Sequence, residues 1–345
     1  MDALPPTLPP WPLPEPPPPA PPPPPREPAW SGLELTLIVL FTLAAMVVVS
    51  VFAILVWALA TRVAGLASLR NIPTLVGLSL IGQTGGYVLG FAFVWLWVAQ
   101  GHGRRFWAAI HWRKLSSSGV GWALVGGVAL MVGVQLLGHV VPMPTNTPET
   151  RLFTPQTAWM LAVFGVVAAP FFEEFFFRGL LFPTLQATFT DGMQPEELRA
   201  WRPLARVGGA LALLAVAVIL VRLRVLTGIH AGAWIALLAG GVMFLTVPQV
   251  PILAVGWVLN QIAKLQRGEA LAIVVTGILF GMMHAVQLGW AWGPVVILTL
   301  VGIVLTLVRA RSGSLIPSWL IHCTYNATLF AAQFASTQGF RHFPH

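Results

Sequence analysis

Two adjacent carboxylates, Glu173 and Glu174, stand in the apolar run Pro170-Phe-Phe-Glu-Glu-Phe-Phe-Phe-Arg-Gly-Leu-Leu-Phe182, and Arg178 follows four residues after the second. A charged group at the centre of a membrane helix costs roughly 2.5–3.5 kcal/mol on insertion scales, so three in one turn and a half call for a reason. On a regular helix Glu174 and Arg178 are at i,i+4 in the favourable order and can account for each other. Glu173, about 100° around such a helix, is left without a partner. Two further pairs lie downstream. His284 follows Phe280 by four residues, and His322 and Asn326 stand one helical turn apart on the same face. Together these residues have the types needed for water attack on an amide. A carboxylate and an imidazole can hold and deprotonate a water. An imidazole and an amide can donate hydrogen bonds to the developing oxyanion, each donor being worth about 2.7–4 kcal/mol in a well-studied case.

Other polar residues have plainer explanations. His139 and His230 suit helix–helix hydrogen bonds. Glu34 and Glu269 fall at helix starts, where a carboxylate complements the dipole. Glu149, Asp191, Glu196 and Glu197 read as ordinary loop acids. Cys323 adjoins His322, but adjacent helical residues point about 100° apart, which argues against a Cys–His–Asn arrangement.

The elements that must carry the site are membrane spans. Of 345 residues 57% are hydrophobic and 9% charged, against about 25% charged in a soluble domain. Mean hydropathy is +0.80. The expected fold is all-α, a polytopic transmembrane helix bundle of about 8–10 spans. Residues 1–29 hold sixteen of the thirty prolines and form a Pro-rich arm, a solvated polyproline spacer or disordered tail. The spanning domain covers 30–335, and 336–345 is a short tail. Apolar runs are expected at about 33–60, 74–99, 120–141, 158–185, 207–221, 229–247, 270–288, 294–308 and 315–335. The net charge of +8 gathers in short loops at 100–119, 190–206, 264–267 and 309–311, the positive-inside pattern. It does not suggest nucleic-acid binding, since no basic stretch is interleaved with exposed aromatics. One cysteine excludes an intramolecular disulfide and a Cys-based metal centre. No signal peptide is evident.

Glu-Glu-x-x-x-Arg (173, 174, 178), Phe-x-x-x-His (280, 284) and His-x-x-x-Asn (322, 326), in this order and each in an apolar run, resemble the three motifs of the CAAX protease and bacteriocin-processing (Abi) family. Arg-Gly-Leu-Leu-Phe after the first motif and Gly-Ser-Leu-Ile-Pro before the third agree. The resemblance implies an intramembrane endopeptidase acting on a peptide or prenylated protein, in a multi-pass protein of the bacterial inner membrane. It implies Glu173 as the water-activating base with His284 as its partner, His322 and Asn326 as the oxyanion hole, and Glu174 and Arg178 as positioning groups. Members are often labelled metalloproteases, and Glu173, His284 and His322 are the residues that would ligate zinc. With no His-Glu-x-x-His present, a metal-free mechanism without cofactor is the more economical expectation. The chain departs from the family's usual pattern in one respect. The first two motifs ordinarily occupy consecutive spans, whereas 111 residues separate Glu173 from His284 here, across an insertion at 190–268. The competing readings are a non-catalytic immunity or binding protein on the same fold, or a transporter with an acid–arginine gate.

Overall fold

The computed structural model describes residues 28–61, 71–139, 141, 143–144, 146–190, 262 and 265–343. The arm at 1–27, both apolar runs between 207 and 247, and nearly all of the insertion lie outside the described residues.

Among the described residues every regular element is helical. The helices are α1 (Gly32–Thr61), α2 (Ile72–Leu96, continued as a π turn over Trp97–Gly101), the short α3 (Phe106–Ala109) and α4 (Ser117–Gly138). A long broken helix follows as α5 (Ala158–Val163), α6 (Ala169–Glu174) and α7 (Phe182–Thr190). The last three are α8 (Arg267–Met283), α9 (Trp292–Ser312) and α10 (Leu315–Ser336). Five of the described helical stretches are long and apolar enough to cross a membrane, namely Gly32–Thr61, Ile72–Gly101, Ser117–Gly138, Ala158–Thr190 and Trp292–Ser312. Their outward faces carry Val47, Val48, Phe52, Leu55, Val125 and Val163, all exposed. Helices apolar around most of their circumference find such a face tolerable only in lipid, and the protein is an integral membrane protein.

Local sequence sets the helix ends. Asn71, Ser116 and Ser314 cap α2, α4 and α10, each accepting a backbone N–H with its side-chain oxygen. Gly313, at φ +62°, closes α9 in the left-handed conformation that glycine adopts without strain. Arg309 and Arg311 lie in the last turn of α9, where cations suit the dipole.

Two ends of the bundle are defined by loop-to-loop hydrogen bonds. At one, Leu315 donates to His111 O at 3.0 Å and Ser314 Oγ to Arg113 O at 2.9 Å, so the basic segments around 104–114 and 309–311 meet. Glu34, at the start of α1, accepts from Trp97 Nε1 at 2.9 Å near the same end. At the other, reached by the 22 residues of α4, Glu149 N–H donates to Gln287 O at 3.0 Å.

Close helix packing rests on small residues. A Cβ built at Gly277 of α8 would stand 2.8 Å from Ile303 N of α9, and one at Gly302 would stand 2.9 Å from Gly277 O. The backbones therefore touch, as small-residue interfaces in membranes allow. Gly277→Ala is expected to destabilise the protein by about 1–3 kcal/mol, the usual cost of overpacking a rigid contact. A thermal-unfolding midpoint in detergent equal to that of the unaltered protein would contradict this.

Candidate active site

The expected single span over 158–185 is interrupted twice. π-helical segments, Phe164–Ala168 and Phe175–Leu181, flank the six-residue α6. Each has a proline as its evident cause. Pro170 and Pro183 have no N–H to donate, and their rings clash with the carbonyls four residues back, at Val166 and Gly179. Widening the turn relieves both. π turns of this kind recur at functional sites, and here they bracket Glu173 and Glu174.

Glu174 and Arg178 are both fully buried. Arg178 Nη1 donates to Glu174 Oε1 at 2.9 Å, Nε to Thr306 Oγ1 at 3.1 Å and Nη2 to Gly302 O at 2.8 Å. Its guanidinium also lies 4.5 Å from the Phe280 ring centroid. The guanidinium thus ties α6 to α9 with its fork engaged on two sides. Glu174 does more than neutralise it. The same Oε1 accepts from His322 Nδ1 at 3.0 Å. A carboxylate only accepts, so Nδ1 carries the proton and His322 turns Nε2 outward. That nitrogen is 3.8 Å from Glu173 Oε2. Glu174 Oε2 is buried and has no hydrogen-bond partner of good geometry among the described residues, and an acceptor left so costs about 1–3 kcal/mol unless something donates to it.

Glu173 makes no hydrogen bond to a described residue, and His322 is its only ion-pair contact among them. The imidazole in direct range of the lone carboxylate is therefore His322. His284 lies at the end of α8 rather than within a span, because the helix stops at Met283 and a tight turn replaces the expected continuation to 288. Its Nδ1 is 2.9 Å from Phe280 O. A carbonyl cannot donate, so Nδ1 is protonated, and Nε2 has no hydrogen-bond partner among the described residues. The Phe280 ring packs against both imidazoles, with centroids 5.0 Å from His284 and 5.8 Å from His322.

Asn326 Nδ2 donates to Gly165 O at 2.6 Å. Gly165 sits in the first π segment, where a bond to the fifth residue on would need an N–H from Pro170. Proline has none, and the Asn326 amide fills the gap. One of its two N–H groups is thereby engaged, and one is left.

Three further residues border this constellation. Tyr87 stacks on Phe172 with centroids 4.9 Å apart and lies in the field of Glu173. Tyr325 is 6% exposed and lies in the field of Glu149. Glu149 lies in the field of His284 and of Glu173. Burial raises its carboxyl above the ordinary range, with His284 opposing and Glu173 adding. The residue keeps open surface on its outer side, so solvent softens these effects. Tyr87 and Tyr325 are the only tyrosines in a chain with 20 phenylalanines and 15 tryptophans. That scarcity was the one sequence signal available for them. Glu149 offered none.

Zinc was the alternative for Glu173, His284 and His322. Among the described residues no three His, Cys, Asp or Glu side chains lie close enough together to hold a metal ion. As placed, Glu173, His284 and His322 do not form a ligand set.

Comparison with known proteins agrees with the motif resemblance. Residues 251–328 match the family of Rce1-like, type II CAAX prenyl endopeptidases. The match contains the Phe280–His284 and His322–Asn326 pairs, while Glu173, Glu174 and Arg178 lie upstream of it. No curated protein and no solved structure matches the chain. The C-terminal part thus resembles a CAAX-type endopeptidase domain, set in a multi-pass membrane protein.

Proposed function

We propose that the chain is a membrane-embedded endopeptidase related to the CAAX-type enzymes, with Glu173 as the base that activates water. The observation that carries this reading is the buried series Arg178–Glu174–His322–Glu173. Its inner three members are locked by hydrogen bonds at 2.9 and 3.0 Å, and its outer carboxylate has no hydrogen-bond partner among the described residues. A structural ion-pair network would not leave its most accessible acid unengaged.

In the proposed reaction a water oxygen bonds to the scissile carbonyl carbon as Glu173 takes one of its protons. His322 Nε2–H, when protonated, and the second N–H of Asn326 are the nearest donors for the oxyanion. Glu173 then passes its proton to the amide nitrogen as the C–N bond breaks, giving a carboxylate and an amine. His284, with Nε2 free, serves as the second proton-transfer group. The substrate is a peptide or lipidated protein segment reached from the bilayer. An aromatic series beside the acids suits an apolar group: Phe172, Phe91, Phe171, Trp112 and Trp319 follow one another with ring centroids 5.4–6.4 Å apart. The membrane is proposed to be the bacterial inner membrane.

The test is cleavage by purified protein in proteoliposomes, followed by mass spectrometry on a farnesylated peptide with a C-a-a-X end and on its unfarnesylated counterpart. Cleavage is expected, with His322→Ala at least 100-fold slower than the unaltered protein. No cleavage of either peptide, or full activity of His322→Ala, would overturn the assignment.

A further inference from the structure

The first wide turn leaves one backbone acceptor that the helix itself cannot serve. In an α turn Gly165 O would accept from the Ala169 N–H, but that N–H is spent on Phe164 O. In a π turn it would accept from residue 170, a proline with no N–H. Neither register supplies a donor, and a carbonyl left without one inside a membrane is costly. Asn326 Nδ2 supplies it at 2.6 Å. A carbonyl only accepts, so the amide nitrogen must face it, and the backbone of another helix thereby fixes how the Asn326 amide is turned.

α10 grips the same turn a second time. Phe330 follows Asn326 by four residues in α10 and shares its face. A Cβ built at Gly165 would lie 2.8 Å from Phe330 Cε2, so the ring covers the α-carbon while the amide holds the carbonyl. The ring is backed by Phe153, with centroids 6.0 Å apart, and packs on the buried cluster of Ala158, Ala162 and Phe340. Glycine at 165 is what permits this approach. The proline belongs to the site as well. Pro170 and Glu173 lie in the same six-residue α6, and His322, one turn before Asn326 on α10, has Nε2 3.8 Å from Glu173 Oε2. One short helix thus carries both the lone carboxylate and the residue that leaves Gly165 O to Asn326.

We propose that Pro170 and Gly165 are positioning residues. By withholding an N–H, Pro170 reserves Gly165 O for Asn326, which then presents its other N–H to the reacting carbonyl in one fixed orientation. The proposal rests on the endopeptidase reading and deepens it. Pro170 acts through Asn326 and not on the substrate. Alanine at 170 returns a donor to the helix, in competition with the Asn326 amide.

The experiment uses the full chain in nanodiscs with nitrogen-15 on asparagine. The chain has four asparagines, Asn71, Asn146, Asn260 and Asn326, and the side-chain amide signal lost in Asn326→Asp is the one to follow. Pro170→Ala is expected to shift that signal away from its hydrogen-bonded position. The unfolding midpoint should stay equal or rise, because alanine suits a helix interior better than proline. With the farnesylated C-a-a-X peptide, kcat should fall at least about tenfold and KM stay within about threefold. In an Asn326→Ala background the same change should cost less than about twofold, since the group it acts through is already gone. A proline needed only for the shape of the helix would instead lower the midpoint and multiply with Asn326→Ala. Gly165→Ala should shift the same signal, and adding Phe330→Leu should return it. An Asn326 signal that Pro170→Ala leaves in place, or full multiplication of the two losses, overturns the proposal. If the unaltered protein cleaves no peptide, the endopeptidase reading fails, and a shifted Asn326 signal still establishes the tether set by Pro170.

Discussion

Glu173→Gln is expected to slow peptide cleavage by about 10²–10⁴-fold, the usual contribution of a positioned general base, while the protein keeps its unfolding midpoint. The amide has nearly the shape of the carboxyl and cannot take a proton from water. Structural loss is small because Glu173 donates and accepts nothing among the described residues and meets only His322, at 3.8 Å. The effect should appear in kcat, with KM within about threefold, since the group acts on water rather than on substrate binding. Glu173→Asp keeps the charge but withdraws it by about one C–C bond and should fall between the two. Activity within threefold of the unaltered protein for Glu173→Gln would remove Glu173 from the chemistry.

Arg178→Ala should be the most destabilising single change at the site, by about 3–5 kcal/mol, as expected when one partner of a buried pair is removed. It leaves Glu174 charged with no countercharge of its own, takes away the donor to Thr306 Oγ1, and leaves Gly302 O with the Thr306 hydroxyl as its remaining side-chain donor. It also loosens the hold of Glu174 on His322, so activity should drop in whatever fraction stays folded. Arg178→Lys keeps the charge but cannot reach three acceptors from one fork. The double change Arg178→Met with Glu174→Gln should recover part of the lost stability, because no uncompensated charge remains, but none of the activity. Denaturant titration in detergent, with circular dichroism as the readout, separates these cases. Equal midpoints for Arg178→Ala and the unaltered protein would show that the pair does not bear on stability.

Much of this was legible in the sequence, for reasons that can be stated. Composition sufficed for an all-helical membrane bundle, because nothing else buries so little charge. The i,i+4 spacing of Glu174 and Arg178 announced their contact, and their acidic neighbour stood out as unexplained. The pairing of the histidines was less accessible. His322 and His284 are equivalent as letters, and only the helix end at Met283 and the fold across α6 and α10 distinguish them. The bond from Asn326 to Gly165 O depends on a carbonyl, which every residue has, and on a proline five residues away that leaves it unmatched. Glu149 was read as a loop acid because its placement follows from a backbone bond to Gln287, 138 residues downstream in the chain. A regular 3.6-residue period, assumed throughout the fourth run, also concealed the two wide turns.

Those turns have a consequence for how the chain tolerates change in length. A π turn carries one residue more than the α turn it replaces. The wide turn over Phe175–Leu181 therefore absorbs one residue without turning α7 against α6, and a deletion within its last three residues, past Arg178, would let the segment wind as ordinary helix with both flanks still in phase. The same deletion in the regular turn that holds Glu173 and Glu174 has no such slack and rotates everything after it by about 100°. The chain should thus tolerate a change of length in the wide turns far better than in the six-residue stretch between them.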